Sequence, residues 1–296
     1  MKPKVIVVVG PTAVGKTKIS IALAKHYHTD IISGDSIAIY KGLDIGSAKP
    51  SIEEQDGIKH HLIDILDVTE DYSVADFQKS ARKFIEEKPL SIICGGTGLY
   101  IQACLFNYEF KAPKRDEGFK EQFANYSNEE LYDYLKSLDP SINSDRIHPN
   151  NRKRVLRALE VLLNTGKSIN EFDRKEEAMY DYFIVYLTMD RAILYDRISK
   201  RVDQMISSGL IEEAKTLYDK GIYLKGIGYQ ELYPYFEGNI SLESAIEEIK
   251  KNTRHLAKRQ ETWFKNQMKS HFFNVNLENI DETLERIKKE IDGWIK

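Results

Sequence analysis

The chain has 296 residues, of which 42% are apolar and 30% are charged, a balance typical of a folded globular protein with a sizeable core. Its net charge of −3 disfavours a protein that coats nucleic acid with its whole surface, although local basic faces stay open. The sequence has no run of about 18 apolar residues and no signal-peptide pattern, so we expect a soluble cytoplasmic protein without membrane contact. Its two cysteines, Cys94 and Cys104, match neither a disulfide framework nor the spacing of zinc ligands.

The first strong motif is a phosphate-binding loop. Val5 to Val9 predict a strand, and Ile19 to Tyr27 predict a helix whose N-terminus would face an anion. The segment between them fits G-x-x-x-x-G-K-[ST] without a mismatch and consists of Gly10, Pro11, Thr12, Ala13, Val14, Gly15, Lys16 and Thr17. In such a loop backbone N–H groups and Lys16 hold phosphate oxygens, and the Thr17 hydroxyl can ligate a divalent metal. The motif predicts a diphosphate ligand and leaves open whether the phosphate is hydrolysed, transferred or released.

Predicted strands and helices alternate through the first third of the chain. After the phosphate loop, the predicted strands are Asp30 to Ser33, Leu62 to Ile65 and Leu90 to Cys94. The predicted helices are Ala75 to Glu87, with Ser73 and Asp76 as a capping pair, and a short helix to about Phe106. This alternation indicates a parallel sheet covered by helices.

The pattern changes in the middle of the chain. From about Ala112 to Tyr180 it is polar and helical, with breaks at Asp139-Pro140, His148-Pro149 and Gly166. Tyr182 to Met189 predict one more strand, and the remainder is predicted to be helical through Lys296. We therefore predict an α/β fold: a P-loop, nucleotide-kinase-like parallel-sheet core with helices on both faces and a helical insertion domain. The core would comprise residues 1–111 and 181–296, and the insertion residues 112–180.

Two segments should lie beside the phosphate loop, because the carboxyl ends of parallel strands meet at one edge of a sheet. Asp35 follows the second predicted strand, where it would act either as a general base or as a helix cap or metal contact through water. Gly95 to Gly98 follow the strand that ends at Cys94. Taken alone, these glycines favour close packing of a helix over ligand binding.

Basic residues cluster twice. The segment Arg146 to Arg157 has five Arg or Lys and no acid, which suits either phosphodiester contacts or a solvated face. The second cluster falls within a helical sector of about 60° and consists of Lys251, Arg254, Lys258, Lys265 and Lys269. Ile249, Leu256 and Trp263 fall on the opposite side, so one helix face would pack on the core and the other would meet a polyanion such as nucleic acid.

Other polar and aromatic residues carry weaker signals. His60 and His61 lack ligands at zinc spacing, and we interpret them as hydrogen-bonded residues near the sheet edge. Tyr72, Tyr100 and Tyr229 could stack on a nucleobase, but most such aromatics fill a core.

Six ordered segments between residues 10 and 264 closely resemble the tRNA dimethylallyltransferase family. They are the phosphate loop, Asp35 to Tyr40, His60 to Asp64, Asn151 to Val161, Gly226 to Leu232, and Ala257 to Phe264. The chain has no cysteine and histidine zinc module after Phe264, which resembles the bacterial form of the family.

The resemblance implies transfer of a dimethylallyl group from dimethylallyl diphosphate to the exocyclic N6 amine of the adenine 3′-adjacent to the anticodon in tRNA, with release of diphosphate. Asp35 would then be the base, and Thr97 would position the amine. Lys16, Arg201, and Thr17 with Mg²⁺ would stabilise charge on the diphosphate. The adenine would leave the anticodon-loop stack to reach the site.

The same resemblance implies the partners. They are the tRNA anticodon stem-loop and dimethylallyl diphosphate, and a monomer is expected. The implied tRNA contacts are Asp35, Ser36, Ile37, Ala38, Lys153, Arg154, Val155, Leu156, Arg157, Gly228, Tyr229, Arg254, Lys258 and Arg259. Relatives usually carry Gln where this chain has Ala38, so any hydrogen bond from that side chain to the flipped base would be absent or replaced, which bears on substrate discrimination and not on the reaction.

Three other functions compete with this interpretation. A small-molecule or nucleotide kinase shares the loop and the sheet, but it leaves the cationic face around Lys258 unexplained. A prenyltransferase acting on free adenylate needs neither that face nor the insertion. A nucleotide-gated RNA-binding module gives Asp35 no catalytic duty.

Overall fold

The computed structural model describes residues 2–108, 118–172 and 177–296. By the proximity of Cα atoms the chain divides into two compact units, Met1–Leu105 with Ala178–Lys296, and Phe106–Glu177. The predicted boundary between residues 111 and 112 lies outside the described residues, and the assignment of a core and an insertion domain stays a prediction. Among the described residues, no helix is long and apolar enough to cross a bilayer.

The larger unit is built on one sheet of six strands, all parallel to their neighbours, in the order β3-β2-β4-β1-β5-β6. The strands are β1 (Lys4–Val9), β2 (Ile31–Ser33), β3 (His60–His61), β4 (Leu90–Cys94), β5 (Asp181–Thr188) and β6 (His271–Asn274). Val8 of the central strand β1 pairs in register with Cys94 of β4 and Val185 of β5. The loops that follow these three strands therefore emerge side by side.

Eleven helices occur among the described residues. In chain order they are α1 (Lys16–His26), α2 (Ile52–Gln55), α3 (Val74–Glu86), α4 (Gly98–Leu105), α5 (Asn128–Leu138), α6 (Arg152–Thr165), α7 (Arg191–Ser207), α8 (Leu210–Asp219), α9 (Tyr233–Phe236), α10 (Leu242–Gln267) and α11 (Ile280–Ile295). The capping pair predicted before α3 is confirmed: Ser73 Oγ accepts from the Asp76 N–H, and the Asp76 carboxylate accepts from the Ser73 N–H.

Both faces of the central strand are covered, because all five residues from Val5 to Val9 have no exposed surface. Ile6 and Val8 belong to a core cluster with apolar side chains of α1, α7 and α11. On α7 and α11 this cluster includes Ile198 and Ile287. Helix α3 contacts the sheet at β4 and also packs on α4. The cluster around Ile6 and Val8 holds α1 and α7 against the sheet, and these two helices border the phosphate loop.

The structure corrects two predicted elements. The predicted strand Leu62 to Ile65 is wrong: β3 ends at His61, and Leu62 and Asp64 have positive φ angles of 62° and 54°, which break an extended chain. The segment His271–Asn274 was predicted to be helical but forms the edge strand β6. Only one of its four side chains, Phe273, is buried, so the sequence shows no strand alternation.

The smaller unit has its own apolar core. Helices α5 and α6 pack together, and the core residues include Phe119, Phe123, Leu131, Leu135, Val155 and Leu159. Two 3-10 turns, Phe119–Phe123 and Ile169–Phe172, accompany the helices. Helix α6 ends as predicted at Gly166, whose φ of 67° is the left-handed conformation that glycine adopts readily.

Candidate active site

The phosphate loop connects β1 to α1. Gly10 has a φ of 148°, and a Cβ there would lie 2.6 Å from the Leu187 carbonyl oxygen of β5. Gly15 has a φ of 106° and caps α1. Both positions therefore require glycine, as the motif predicts. Lys16 reaches back over the loop, where its Nζ donates to the carbonyl oxygens of Gly10 at 3.1 Å and Pro11 at 2.9 Å.

Two partly buried cations concentrate positive charge beside this loop. The pKa of Lys16 is lowered to about 8, chiefly by burial and in smaller part by Arg201, while Cys94 and Asp35 act in the opposite direction. Burial also lowers the pKa of the Arg201 guanidinium, which Glu54 and Asp35 partly offset. Taking two cations out of water is unfavourable unless an anion joins them, so this arrangement suits a diphosphate.

Asp35 lies just beyond β2 at the same edge of the sheet. Its Oδ1 accepts from the N–H groups of Ile37 at 2.8 Å and Ala38 at 3.3 Å. Within the described residues, its Oδ2 has no hydrogen-bond partner. One oxygen therefore stabilises the turn, as a cap would, and the other stays available to accept a proton, so the two predicted roles are compatible.

Thr97 is held directly against the segment that carries Asp35. Its Oγ1 accepts from the Ser36 N–H at 3.3 Å, and its own N–H donates to the Gly34 carbonyl at 3.2 Å. A Cβ on Gly95 would lie 2.3 Å from the same carbonyl oxygen. The glycines of this loop thus serve close packing, and that packing places Thr97 beside Ser36.

Two side chains at the phosphate loop were not found from the sequence. Arg197, one turn before Arg201 on α7, donates from Nε to the Ala13 carbonyl at 2.9 Å. Gln260 of α10 accepts from the Thr12 N–H at 3.1 Å. The four-residue spacing of the arginines could have indicated Arg197. Gln260 lies in the resembling segment Ala257 to Phe264, but no contact with the phosphate loop was predicted for it, because that contact depends on how α10 packs.

The basic residues of α6 divide into structural and exposed members. Arg152 donates to the carbonyl oxygens of Phe123 and Tyr126, both at 2.6 Å, and Arg157 pairs with Glu160 at 2.6 Å. Lys153 and Arg154 are exposed. Two other predicted tRNA contacts on this helix are not exposed. Leu156 packs against the core of the smaller unit, and Val155 is fully buried. A side-chain contact between Val155 and tRNA is therefore not supported.

The cationic face predicted around Lys258 needs correction. Helix α10 ends at Gln267, so Lys269 lies outside it. Lys251 pairs with Glu248 at 2.9 Å and Lys265 with Glu261 at 2.7 Å, which makes the face mixed in sign. Lys258 and Arg259 are exposed and Arg254 is partly exposed. An open groove of about 580 Å³ runs along this helix and is lined by His255, Lys258, Arg259, Thr262, Trp263, Asn266 and Gln267.

Tyr229 does not present its ring to a ligand. The side chain is fully buried, and its hydroxyl donates to Glu213 at 2.7 Å. The neighbouring Gly228 N–H donates to Glu231 at 2.9 Å. Any contact of these two residues with tRNA would therefore come from the backbone.

Two further aromatic side chains follow the core interpretation, and Ala38, which the resemblance implied as a tRNA contact, is buried as well. Tyr100 is buried and stacks on Phe77 with ring centroids 4.6 Å apart. Tyr72 meets Tyr100 edge-on at 6.4 Å. Ala38 is only 3% exposed, so a longer side chain there would have to displace its neighbours.

The two histidines lie at the sheet edge, as predicted. His61 Nε2 lies 2.9 Å from Asp30 Oδ2, and His60 Nδ1 lies 2.9 Å from the Ile58 carbonyl. Both belong to the edge strand β3.

Comparison with known proteins gives consistent matches over the whole chain. Residues 38–267 match the family model described as IPP transferase. A tRNA dimethylallyltransferase of Anoxybacillus flavithermus is 48% identical over 100% of this chain and 97% of that protein. One from Geobacillus thermodenitrificans is 46% identical over 100% and 98%.

Two solved structures from the same group of enzymes are similar to this chain in fold. The crystal structure of the full-length tRNA isopentenylpyrophosphate transferase from Bacillus halodurans has a TM-score of 0.75 and 44% identity, covering 99% of this chain and 97% of that one. A eukaryotic dimethylallyltransferase acting on tRNA has a TM-score of 0.82 and 28% identity over 97% of this chain and 77% of that chain.

Proposed function

Because this chain belongs to the IPP transferase family, whose curated members are tRNA dimethylallyltransferases, we propose that it moves a dimethylallyl group from dimethylallyl diphosphate to tRNA. The acceptor is the exocyclic N6 amine of the adenine 3′-adjacent to the anticodon. The observation that carries this proposal is the meeting of a cationic phosphate loop and an available carboxylate oxygen at one edge of the sheet.

The reaction forms one bond and breaks one. The N6 lone pair attacks the first carbon of the dimethylallyl group, and the carbon–oxygen bond to the diphosphate breaks with its electron pair on the diphosphate oxygen. The N6 proton passes to Asp35 Oδ2, the oxygen not engaged by the turn. Thr97, fixed against Ser36, positions the amine.

The phosphate loop binds the leaving group. Its backbone N–H groups and Lys16 receive the diphosphate, and Arg201 opposes the charge that accumulates as the carbon–oxygen bond breaks. For Lys16 this requires exchanging its bonds to the Gly10 and Pro11 carbonyls for phosphate oxygens.

The donor set at this edge fits Mg²⁺ held together with the diphosphate. Magnesium is typically bound by one or two protein oxygens plus phosphate oxygens and waters, and Thr17 offers its hydroxyl in the first turn of α1. When bound, the ion would neutralise charge on the leaving group. A site made wholly of protein ligands has no counterpart among the described residues, which hold no cluster of three His, Cys, Asp or Glu.

Five exposed or partly exposed cations are the proposed contacts to the anticodon stem-loop. They are Lys153, Arg154, Arg254, Lys258 and Arg259. Cations of this kind contact phosphates and position the RNA without reading its sequence. The target adenine would leave the stacked loop to approach Asp35. We further propose a monomeric enzyme of the cytoplasm, where its tRNA substrate is found.

One assay separates this function from its competitors. The protein is incubated with labelled dimethylallyl diphosphate and, separately, with ATP, and tRNA or free adenylate serves as the acceptor. We expect label in tRNA only, and only with the prenyl donor. Phosphate transfer from ATP would indicate a kinase, equal labelling of adenylate a nucleotide prenyltransferase, and binding without turnover an RNA-binding module.

A further inference from the structure

The side chain of Gln260 lies between two loops of the candidate site. From α10 its Oε1 accepts from the Thr12 N–H at 3.1 Å, and its Nε2 donates to the Gly96 carbonyl at 3.2 Å. Thr12 belongs to the phosphate loop, and Gly96 directly precedes Thr97. One amide thus joins the loop that receives the diphosphate to the loop that positions the acceptor.

The surrounding backbone is shaped for this contact. A Cβ on Gly96 would lie 2.2 Å from Gln260 Nε2, and a Cβ on Gly98 would lie 2.2 Å from the Trp263 ring. Gln260 and Trp263 are one turn apart on α10, so the loop follows the helix surface at both positions. Since real Cβ atoms do not approach other atoms this closely, Gly96 leaves room for the Gln260 amide, and Gly98 leaves room for the Trp263 ring on the same helix.

We infer that Gln260 is a positioning residue that sets the spacing between the leaving-group loop and Thr97. This rests on the proposed function, in which the amine nitrogen, the first carbon of the dimethylallyl group and the leaving diphosphate oxygen must lie in line. Both hydrogen bonds of the Gln260 side chain go to backbone atoms of these loops. Its effect passes through Thr12 to the phosphate loop and through Gly96 to Thr97, whose Oγ1 holds the Ser36 N–H beside Asp35.

The amide is chemically specific for this place, because one end must accept and the other must donate. A Glu at this position keeps the acceptor for Thr12 but sets a carboxylate oxygen against the Gly96 carbonyl. A Met keeps the length and loses both hydrogen bonds. Gly96→Ala disrupts the same contact without changing Gln260, because the alanine Cβ would displace the Gln260 amide.

The experiment compares Gln260→Met, Gln260→Glu and Gly96→Ala with Thr253→Val, a control on the same helix whose hydroxyl donates to the Ile249 carbonyl. Single-turnover rates at saturating substrates should fall roughly ten- to a hundredfold in Gln260→Met, the scale of a small misalignment, with tRNA affinity changed less than about twofold. The ratio of the Gln260→Glu rate to the Gln260→Met rate should rise as the pH is lowered, because a protonated carboxyl can again donate to Gly96. The double variant Gly96→Ala with Gln260→Met should be no slower than the worse single variant.

Hydrogen exchange at the Thr12 amide provides a readout that does not depend on turnover. Its protection should be lost in Gln260→Met and kept in Gln260→Glu. The inference is overturned if Gln260→Met matches the Thr253→Val control in rate, if it raises only the KM for tRNA, or if Thr12 protection is unchanged. If the unaltered chain transfers no dimethylallyl group, the proposed function fails by itself, and Thr12 exchange still decides whether Gln260 holds the loop.

Discussion

At the scale of single residues, the two carboxylate oxygens of Asp35 have different surroundings. Oδ1 accepts two backbone N–H groups of the turn, while Oδ2 is available for a proton. Asn is close in shape and keeps an oxygen acceptor for the turn, but its NH₂ group cannot take up a proton. The substitution therefore separates the structural role from the proposed catalytic one.

Asp35→Asn should lower the single-turnover rate by roughly a hundredfold or more while tRNA and diphosphate binding change little. Rapid quench with labelled donor measures the rate, and Asp133→Asn on the exposed face of α5 is the matched control. A near-normal rate in Asp35→Asn would remove this residue from the base role.

Lys16 predicts a pH dependence of ligand binding. With a pKa lowered to about 8, its ammonium is charged below that pH and loses its proton as the pH rises through it. Affinity for inorganic diphosphate should therefore decline above pH 8, well before an ordinary lysine at about 10.4 would respond. Calorimetry on the unaltered protein and on Lys16→Arg, which stays charged, measures the difference. Parallel pH profiles for the two proteins would contradict this assignment.

The sequence predicted the residues of the site whose chemistry is local, and it missed those that depend on tertiary packing. The phosphate loop and Asp35 stand next to strands that the apolar pattern reveals, so their place at the sheet edge follows from parallel topology. Gln260 and Arg197 reach the loop from helices late in the chain. Their contacts depend on where α10 and α7 pack, and only the four-residue spacing from Arg201 gave a local indication, for Arg197.

At the scale of elements, ion pairs decide which cations of α10 are available to RNA. Lys265 shares its charge with Glu261, whereas Lys258 forms no ion pair within the described residues. Periodicity alone placed both on one face and could not separate them. The same limit explains Lys269, since the helix end depends on packing beyond Phe264.

Lys258→Gln should reduce the slope of log affinity for tRNA against log salt by roughly 0.9 or less, the contribution of one phosphate contact. Lys265→Gln should change it by a smaller amount, because the Glu261 carboxylate already neutralises part of that charge. Filter binding over a salt series measures both slopes. Equal slopes for all three proteins would show that this face does not meet the RNA.

Helix α6 allows a similar separation between folding and binding. Arg152→Ala removes hydrogen bonds to the Phe123 and Tyr126 carbonyls and should reduce the free energy of unfolding by about 2 kcal/mol. Lys153→Ala removes an exposed cation and should weaken tRNA binding without lowering stability. Denaturant unfolding and tRNA titration of both variants test this division. Equal stability of the two variants would contradict the structural role of Arg152.

The short strands at the edges of the sheet were the elements that the sequence predicted least well. Strands β1, β4 and β5 have long buried runs and were predicted within about one residue. Strands β3 and β6 have two and four residues and lie at the two edges of the sheet. Their pairing is determined by the neighbouring strand rather than by their own pattern, and for that reason both were misassigned.

At the scale of the whole molecule, the parallel sheet gathers residues from distant parts of the chain. The loops after β1, β2 and β4 bring the phosphate loop, Asp35 and Thr97 to one edge. Helix α7 adds Arg197 and Arg201 to the same region. In the proposed reaction, the phosphate loop at this edge holds a leaving group rather than a phosphoryl donor.

The most direct test of this claim is to measure the ratio of prenylated RNA to released diphosphate in a reaction that contains no nucleoside triphosphate. The protein is incubated with Mg²⁺, labelled dimethylallyl diphosphate and an anticodon stem-loop, and both the labelled RNA and the released diphosphate are counted. We predict one dimethylallyl group and one diphosphate per target adenine, and no labelling of a stem-loop with guanine at that position. A requirement for ATP, hydrolysis of ATP in step with product, or equal labelling of the guanine stem-loop would contradict the account.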